Sequence, residues 1–387
     1  MNKKELELYI HIPFCVRKCS YCDFLSAPAT EQTREAYMAA LFAEIGGRAK
    51  DYSDRTVTSI FIGGGTPSLL SGEQIGQLMD RIREQFAMAQ DAEITMEVNP
   101  GTASAEKLRN FYTAGINRLS IGMQSAQAEE LKNLGRIHDF EGFCQVYREA
   151  VEAGFTNINV DIMSGLPGQT LASYRDTLEK ALHLEPMPQH ISAYSLIVEE
   201  ETPFAAMAER GELPLPEEET ERAMYEETIE VLAKYGFHRY EISNYARDGY
   251  ECRHNVGYWI RRDYLGFGIG AASLIDNVRF QNEKSLGAYL AHPLESREEE
   301  QTLTVQDRME ETMFLGLRLT RGVSCVDFAE QYGRTVEEVY GEVIARNVAD
   351  GLLTVTERKE NQKKDRFLAL TKRGLDLSNY VMAQFLF

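Results

Sequence analysis

YIHIPFCVRKCSYCDF, residues 9–24, places Cys15, Cys19 and Cys22 in the spacing C-x3-C-x2-C. Each short arc lets the next thiolate reach a different iron atom of a cubane iron–sulfur cluster. A [4Fe–4S] cluster has four irons, so three protein ligands leave one open to bind and reductively cleave a small molecule. A site of four cysteines would tend only to pass electrons. Zinc is the competing reading, but a structural zinc site usually takes four ligands from two separated pairs, and no second pair follows downstream. A disulfide framework fits less well, because three is an odd number and no secretory leader is expected ahead of the motif.

Outward from this loop the chain alternates short β-branched runs with longer amphipathic stretches. Candidate strands cover 6–12, 58–62, 93–98, 118–123, 157–163 and 190–196, with candidate helices between them. Ser71 ahead of GEQIGQLMDRIREQF, and Ser104 ahead of AEKLRNFYTAG, are the expected helix caps. Six β–α units predict an α/β fold, a partial (β/α)6 TIM-like barrel whose chemistry lies at the strands' C-terminal ends. Beyond residue 196 the pattern changes. A charged helix is expected over 217–235, then the strand-like FHRYEISNYA, then a glycine- and aromatic-rich stretch over 249–272. Helices over 305–319 and 336–349 and a hairpin in LLTVTERKENQKKDRFLALT predict a C-terminal, mostly helical, winged-helix-like unit. The expected divisions are 1–200 for the barrel with the cluster site, 201–300 for a barrel extension and linker, and 301–387 for the helical unit, with the polar ESREEEQ marking the last boundary.

The chain has 387 residues, 43% of them hydrophobic, enough for a sizeable core. Lys and Arg number 41 against 60 Asp and Glu, a formal charge of −19 that would repel a phosphate backbone, so nucleic acid is not an expected partner. No run is long enough to cross a bilayer, and MNKKELELYI passes straight into an alternating strand pattern. Cys144, Cys252 and Cys325 are scattered singly, as expected of a reducing cytoplasm, and read as small buried hydrophobes.

The strand TSIFIGGGTPS ends in Gly63, Gly64 and Gly65, then Thr66 and Pro67. Consecutive glycines let backbone groups approach a ligand such as an amino-acid carboxylate or amine, although a tight strand-to-helix turn would use them too. No Gly-Lys-Ser/Thr follows, so this is not a P-loop. Glu97, Gln124 and Asp161 recur at strand ends, which converge on one mouth in a barrel, where a carboxylate can take ribose hydroxyls. Arg136 could pair with a ligand carboxylate or lie on the surface. Tyr9 and His11, two apart on a strand, share a face just before the cluster loop. Downstream, CRHNVGYWIRRDYLGFGIGAAS holds His254, Asn255, Tyr258 and the chain's single tryptophan, Trp259. An imidazole beside flat rings can serve a macrocycle pocket as axial ligand, or be a satisfied structural histidine.

CVRKCSYCDF, GGGTPS, the strand-end Glu97, Gln124 and Asp161, and HNVGYW together resemble the HemW family of haem chaperones. That family lies in the radical S-adenosylmethionine (SAM) superfamily, among proteins similar to oxygen-independent coproporphyrinogen III oxidase. The resemblance spans essentially the whole chain. It implies that Cys15, Cys19 and Cys22 ligate a [4Fe–4S] cluster whose open iron takes the amine and carboxylate of SAM. It further implies that Tyr9, Gly64, Gly65, Thr66, Glu97, Gln124, Arg136 and Asp161 surround SAM, and that His254, Asn255, Tyr258 and Trp259 handle haem as cargo.

Three departures separate the chain from the oxidase. That enzyme continues as C-x3-C-x2-C-x-C where Phe24 stands here, has an extra segment before the first strand, and lacks HNxxYW. The resemblance therefore implies haem delivery to acceptor haemoproteins such as respiratory-chain cytochromes, an electron donor, a homodimeric state, and a cytoplasmic location, peripheral at the membrane during delivery. No residue is given a catalytic role. The rival reading is a radical SAM enzyme, either the oxidase, decarboxylating propionates through a 5′-deoxyadenosyl radical, or a catalyst on another substrate.

Overall fold

The computed structural model describes residues 3–295, 297–360 and 363–386. Its spine is six parallel strands in chain order: β1 (Lys4–Ile12), β2 (Arg55–Gly64), β3 (Ala87–Val98), β4 (Arg118–Gln124), β5 (Ile158–Ser164) and β6 (His190–Ser195). These are the six expected strands. Each carries one apolar face: Leu6, Leu8 and Ile10 of β1, Ile60 and Ile62 of β2, and Leu119 and Ile121 of β4 are fully buried in the main core. Helices Glu31–Arg48, Gly72–Gln85, Ala105–Thr113, Phe140–Ala153 and Leu171–Leu182 cover that face.

The helices start where the sequence placed their caps. Ser71 accepts from the Gln74 N–H while the Gln74 side chain returns to Ser71 N–H, a reciprocal capping box. Ser104 accepts from the Lys107 N–H in the same way.

The sheet does not close, and it is wider than six strands. Strands β7 (His238–Arg239) and β8 (Asn244–Ala246) extend it antiparallel beyond β6, so β6 never meets β1. On the other edge β9 (Tyr264–Phe267) pairs parallel with β1, followed by antiparallel β10 (Ala272–Ile275), β11 (Val278–Asn282) and β12 (Arg297–Thr302). The glycine-rich stretch thus hides four-residue strands, too short and too broken by Gly266, Gly268 and Gly270 to show alternation.

Residues Val305–Gly316, Cys325–Tyr332 and Val336–Ala349 form helices, and β13 (Val323–Ser324) completes a three-stranded sheet with the hairpin β14 (Leu353–Glu360) and β15 (Lys363–Leu370). A second core fills this part, with Met313, Leu317, Phe328, Leu368 and Val381 buried together. The helix Cys325–Tyr332 had no counterpart in the sequence reading.

Candidate functional site

The inner face of the sheet is polar, and successive residues of one face stack in layers along the strands. In the upper layer, at the C-terminal strand ends, lies a cavity of about 360 Å³. Its wall contains Cys15, Cys19 and Cys22 together with Gly64, Gly65, Thr66, Glu97, Gln124, Arg136 and Asp161. Residues from six separate parts of the chain thereby meet in one place.

The cluster loop is tied down at several points. Ser20 N–H donates to Leu134 O at 3.0 Å, Arg17 Nη2 to Gly135 O at 2.7 Å, and Ala27 N–H to Pro13 O at 3.0 Å. All three thiols are free and half-buried. Thr66 Oγ1 donates toward Cys15 Sγ at 3.4 Å, and Arg136 Nη1 stands 4.0 Å from Cys19 Sγ. Burial pushes the Cys22 thiol up to about 11, a shift that a bound cation reverses. Among the described residues no three His, Cys, Asp or Glu side chains stand close enough to hold a single metal ion. Three thiols lining one cavity without closing on a point fit a cubane, whose ligands reach different irons, better than one tetrahedral ion.

The glycine run has a packing reason beyond ligand approach. A Cβ on Gly65 would lie 2.7 Å from Phe14 O and 2.9 Å from Ile12 O, and one on Gly64, at φ +108°, would lie 2.5 Å from the His11 ring. Only glycine lets β2 end against the start of the cluster loop. Glu97 Oε2 accepts from Gly64 N–H at 3.0 Å, and burial, with Asp161 nearby, pushes its carboxyl up to about 8. Asp161 accepts from Ser120 Oγ at 3.1 Å and Asn159 Nδ2 at 2.7 Å, while burial raises it. Gln124 sits at φ +63° with its Oε1 accepting from Tyr194 OH at 3.2 Å. Arg136 Nη2 donates to Gly122 O at 3.1 Å, and its buried Nε has no hydrogen-bond partner among the described residues. A half-buried cation with a buried, unused donor suits an incoming carboxylate.

Tyr9 is the expected SAM neighbour that does not reach the wall. It lies one layer lower, its OH 3.0 Å from His11 Nδ1, while His11 Nε2 meets Leu25 O at 2.8 Å. Ser120, Asn159 and Tyr194 were missed by the sequence reading. The signal for the first two is same-face spacing with the strand-end residues: Ser120 lies four before Gln124 on β4 and Asn159 two before Asp161 on β5.

HNVGYW is far from this mouth. Its helix, Arg253–Trp259, plugs the N-terminal end of the sheet, where Glu7, Ser59 and Glu93 are register partners across β1, β2 and β3. The Glu93 carboxylate accepts from Arg253 and His254 N–H at 3.1 and 3.2 Å, capping the helix from the sheet. His254, expected as a haem contact, has both ring nitrogens engaged within the protein. Its Nδ1 is 2.8 Å from Ser59 Oγ, its Nε2 3.0 Å from Tyr258 OH, and its ring stacks 5.3 Å from Phe61. Burial lowers it to about 3, so the ring is neutral and both nitrogens are used. Tyr258 is spent on His254 and on an edge contact to Tyr264 at 4.7 Å. A Cβ on Gly257 would lie 1.9 Å from Glu7 Oε1, so the motif's glycine admits that carboxyl. Asn255 is half-buried on the same helix. Trp259 differs. It lines a separate cavity of about 420 Å³ against the C-terminal unit, with the Arg318 guanidinium 4.4 Å from its ring and its buried Nε1 lacking a partner among the described residues.

Comparison with known proteins matches residues 9–181 to the Radical SAM superfamily and 303–377 to the HemN C-terminal domain. The heme chaperone HemW of Bacillus subtilis (strain 168) is 39% identical over 385 residues, 98% of each chain. That of Escherichia coli (strain K12) is 37% identical over 358 residues, covering 90% of this chain and 92% of its own. Among solved structures, coproporphyrinogen III oxidase (HemN) from Escherichia coli, described as a radical SAM enzyme, superposes with a TM-score of 0.85 at 28% identity, over 100% of this chain and 91% of that one.

Proposed function

Because the chain belongs to the radical SAM superfamily and, within it, to the HemW haem chaperones, we propose that it holds a [4Fe–4S] cluster on Cys15, Cys19 and Cys22, binds SAM beside it, and carries haem to acceptor haemoproteins. The observation that supports this most is the gathering of the three thiols with Glu97, Gln124, Arg136 and Asp161 around one cavity. Arg136 would take the SAM carboxylate with its unused Nε–H. Glu97 and Asp161 would accept from ribose hydroxyls, and Thr66 would hold Cys15 toward the cluster. When bound, SAM at an open iron supplies one-electron cleavage chemistry.

For haem, the cavity beside Trp259 is the better candidate than His254, since the indole borders open volume and the imidazole does not. His254 acts as a positioning residue that locks the Trp259 helix onto the sheet. Acceptors such as respiratory-chain cytochromes, an electron donor, a second copy of the chain and a cytoplasmic location, peripheral at the membrane during delivery, belong to the same reading. No helix among the described residues is long and apolar enough to cross a membrane.

The oxidase reading is disfavoured by Phe24, 57% exposed on the cavity rim, two residues past Cys22 where the oxidase pattern places another cysteine. Anaerobic reconstitution separates the readings. The protein is expected to bind about one haem per chain, followed by absorbance, and to leave coproporphyrinogen unchanged. Steady formation of protoporphyrinogen would establish the oxidase instead. Cys19→Ala is expected to lose the cluster, and full iron and sulfide in that variant would remove the ligand assignment.

A further inference from the structure

A cluster used for one-electron chemistry must be charged from outside, and we infer that its electron carrier, a protein with an acidic docking face, binds the outer side of the cluster loop over Arg17, Lys18 and Lys132. The inference rests on the cluster reading above and goes on to locate the partner. Electron tunnelling falls exponentially with distance, so the carrier must come close to Cys15, Cys19 or Cys22. Two routes exist. The first is the cavity mouth, where Asp23 and Glu199 stand in the wall beside Arg17 and Arg136, with the buried carboxyls of Glu97 and Asp161 deeper in. That route has mixed charge and, in the reading above, is taken by SAM.

The second is the outer face, where Arg17 and Lys18 lie exposed between two of the cysteines. There the loop meets the segment after helix Ala128–Asn133 in a concavity of about 390 Å³. Its wall holds Arg17, Lys18, Lys132 and Arg136 against a single carboxylate, Asp139. Asp139 is occupied capping the next helix through Gly142 N–H at 2.8 Å. Arg17 spends its donors on the carbonyls of Gly135 and Arg136, so its charge stays uncompensated by those contacts. The ion pair of Lys132 with Glu129, 3.4 Å apart with both side chains at least 74% exposed, neutralises little. On a chain of formal charge −19 this is a local reversal of sign. Val16 and Ile137, 53% and 39% exposed, add apolar surface beside the cations, as suits a small, transient redox contact. On docking, one electron leaves the carrier's reduced centre and enters the oxidised cluster. No bond is made or broken.

The test uses reduced flavodoxin, an acidic one-electron carrier, against the reconstituted wild type and Lys18→Glu/Lys132→Glu. Stopped-flow absorbance is expected to give a second-order reduction rate at least about tenfold lower in the variant, with the salt dependence largely lost. Reduced methyl viologen, a small cation, should reduce both proteins at rates no slower in the variant. Titration of flavodoxin into the cluster-free chain should show the same weakening without any turnover. Equal flavodoxin rates and binding in both proteins would overturn the docking face. If the double variant incorporates less iron, Lys132→Glu alone, outside the cysteine loop, must still slow flavodoxin by about threefold or the inference fails. Iron and sulfide analysis of the wild type separates the two levels: a missing cluster removes the reading beneath the inference, whereas an intact cluster reduced at equal rates removes the inference alone.

Discussion

Glu97 shows how the site trades stability for binding. Its carboxyl is pushed up to about 8 in the fold against about 4.5 in a flexible chain, first by burial and then by Asp161. Between those values the folded protein keeps a proton that the unfolded chain has lost, so stability falls as pH rises through this window. Glu97→Gln removes the titration. The expected outcome is a melting temperature for the SAM-free variant a few degrees above wild type at pH 8, no gain near pH 4.5, and weaker SAM binding by isothermal calorimetry. Gly65 is constrained more severely, because the atoms a Cβ would strike are backbone carbonyls that cannot swing away. Gly65→Ala is expected to destabilise by roughly 1–3 kcal/mol in chemical denaturation and to lower iron incorporation. At this scale much was legible. The cysteines were singled out by spacing, and Glu97, Gln124 and Asp161 by strand-end position, and the fold brings them to one cavity together with Arg136, whose place beside a ligand came only from the resemblance. Tyr9 lies outside the cavity wall, because alternation tells which face a side chain takes but not which layer.

Among the elements, the helix Arg253–Trp259 is the one whose sequence leaves two readings open. A histidine beside aromatics can be a ligand or a satisfied structural residue, and here most of HNVGYW closes the polar end of the sheet: Glu93 caps the helix, His254 bridges Ser59 and Tyr258, and Gly257 makes room for Glu7. No local pattern announces this, since its partners are 160 to 250 residues away in the chain. The first strands and helices were legible because their apolar periods and caps are local, whereas β9 to β12 owe their existence to the free edge of β1. Gly257→Ala is expected to destabilise by roughly 1–3 kcal/mol, and Glu7→Ala should return part of that in the double variant, because it removes the struck carboxyl. Additive losses in denaturant titrations would show that the two residues do not meet. Trp259→Ala is expected to weaken haem binding at least about tenfold with the sheet end intact, while His254→Ala should lower the melting temperature first.

At the scale of the whole molecule, the C-terminal unit has its own core, and the question is what makes it move with the sheet. Glu311, 5% exposed on the helix Val305–Gly316, takes Arg261 Nε at 2.8 Å just past the plug helix and Arg279 Nη1 at 2.8 Å from β11. One carboxylate thus joins three parts of the chain, and Arg261 and Glu311 are next in sequence to Ile260 and Thr312 of the wall of the cavity beside Trp259. Arg261 is only 4% exposed in its side chain, so without Glu311 its charge would stay buried and unpaired. Breaking such a pair by deleting one partner costs roughly 3–5 kcal/mol, more than exposed ion pairs such as Lys132 with Glu129 could return. Glu311→Ala should therefore loosen the border and leave each core standing. Calorimetry is expected to show the single wild-type transition divide into two, the lower one belonging to the C-terminal unit, with haem affinity falling and iron content unchanged. A variant that melts in one step at the wild-type temperature would mean that the carboxylate does not couple the two cores. Since the cluster cavity lies at the opposite end of the strands, the same variant should also bind SAM as the wild type does, which makes cargo and cofactor separable within one chain.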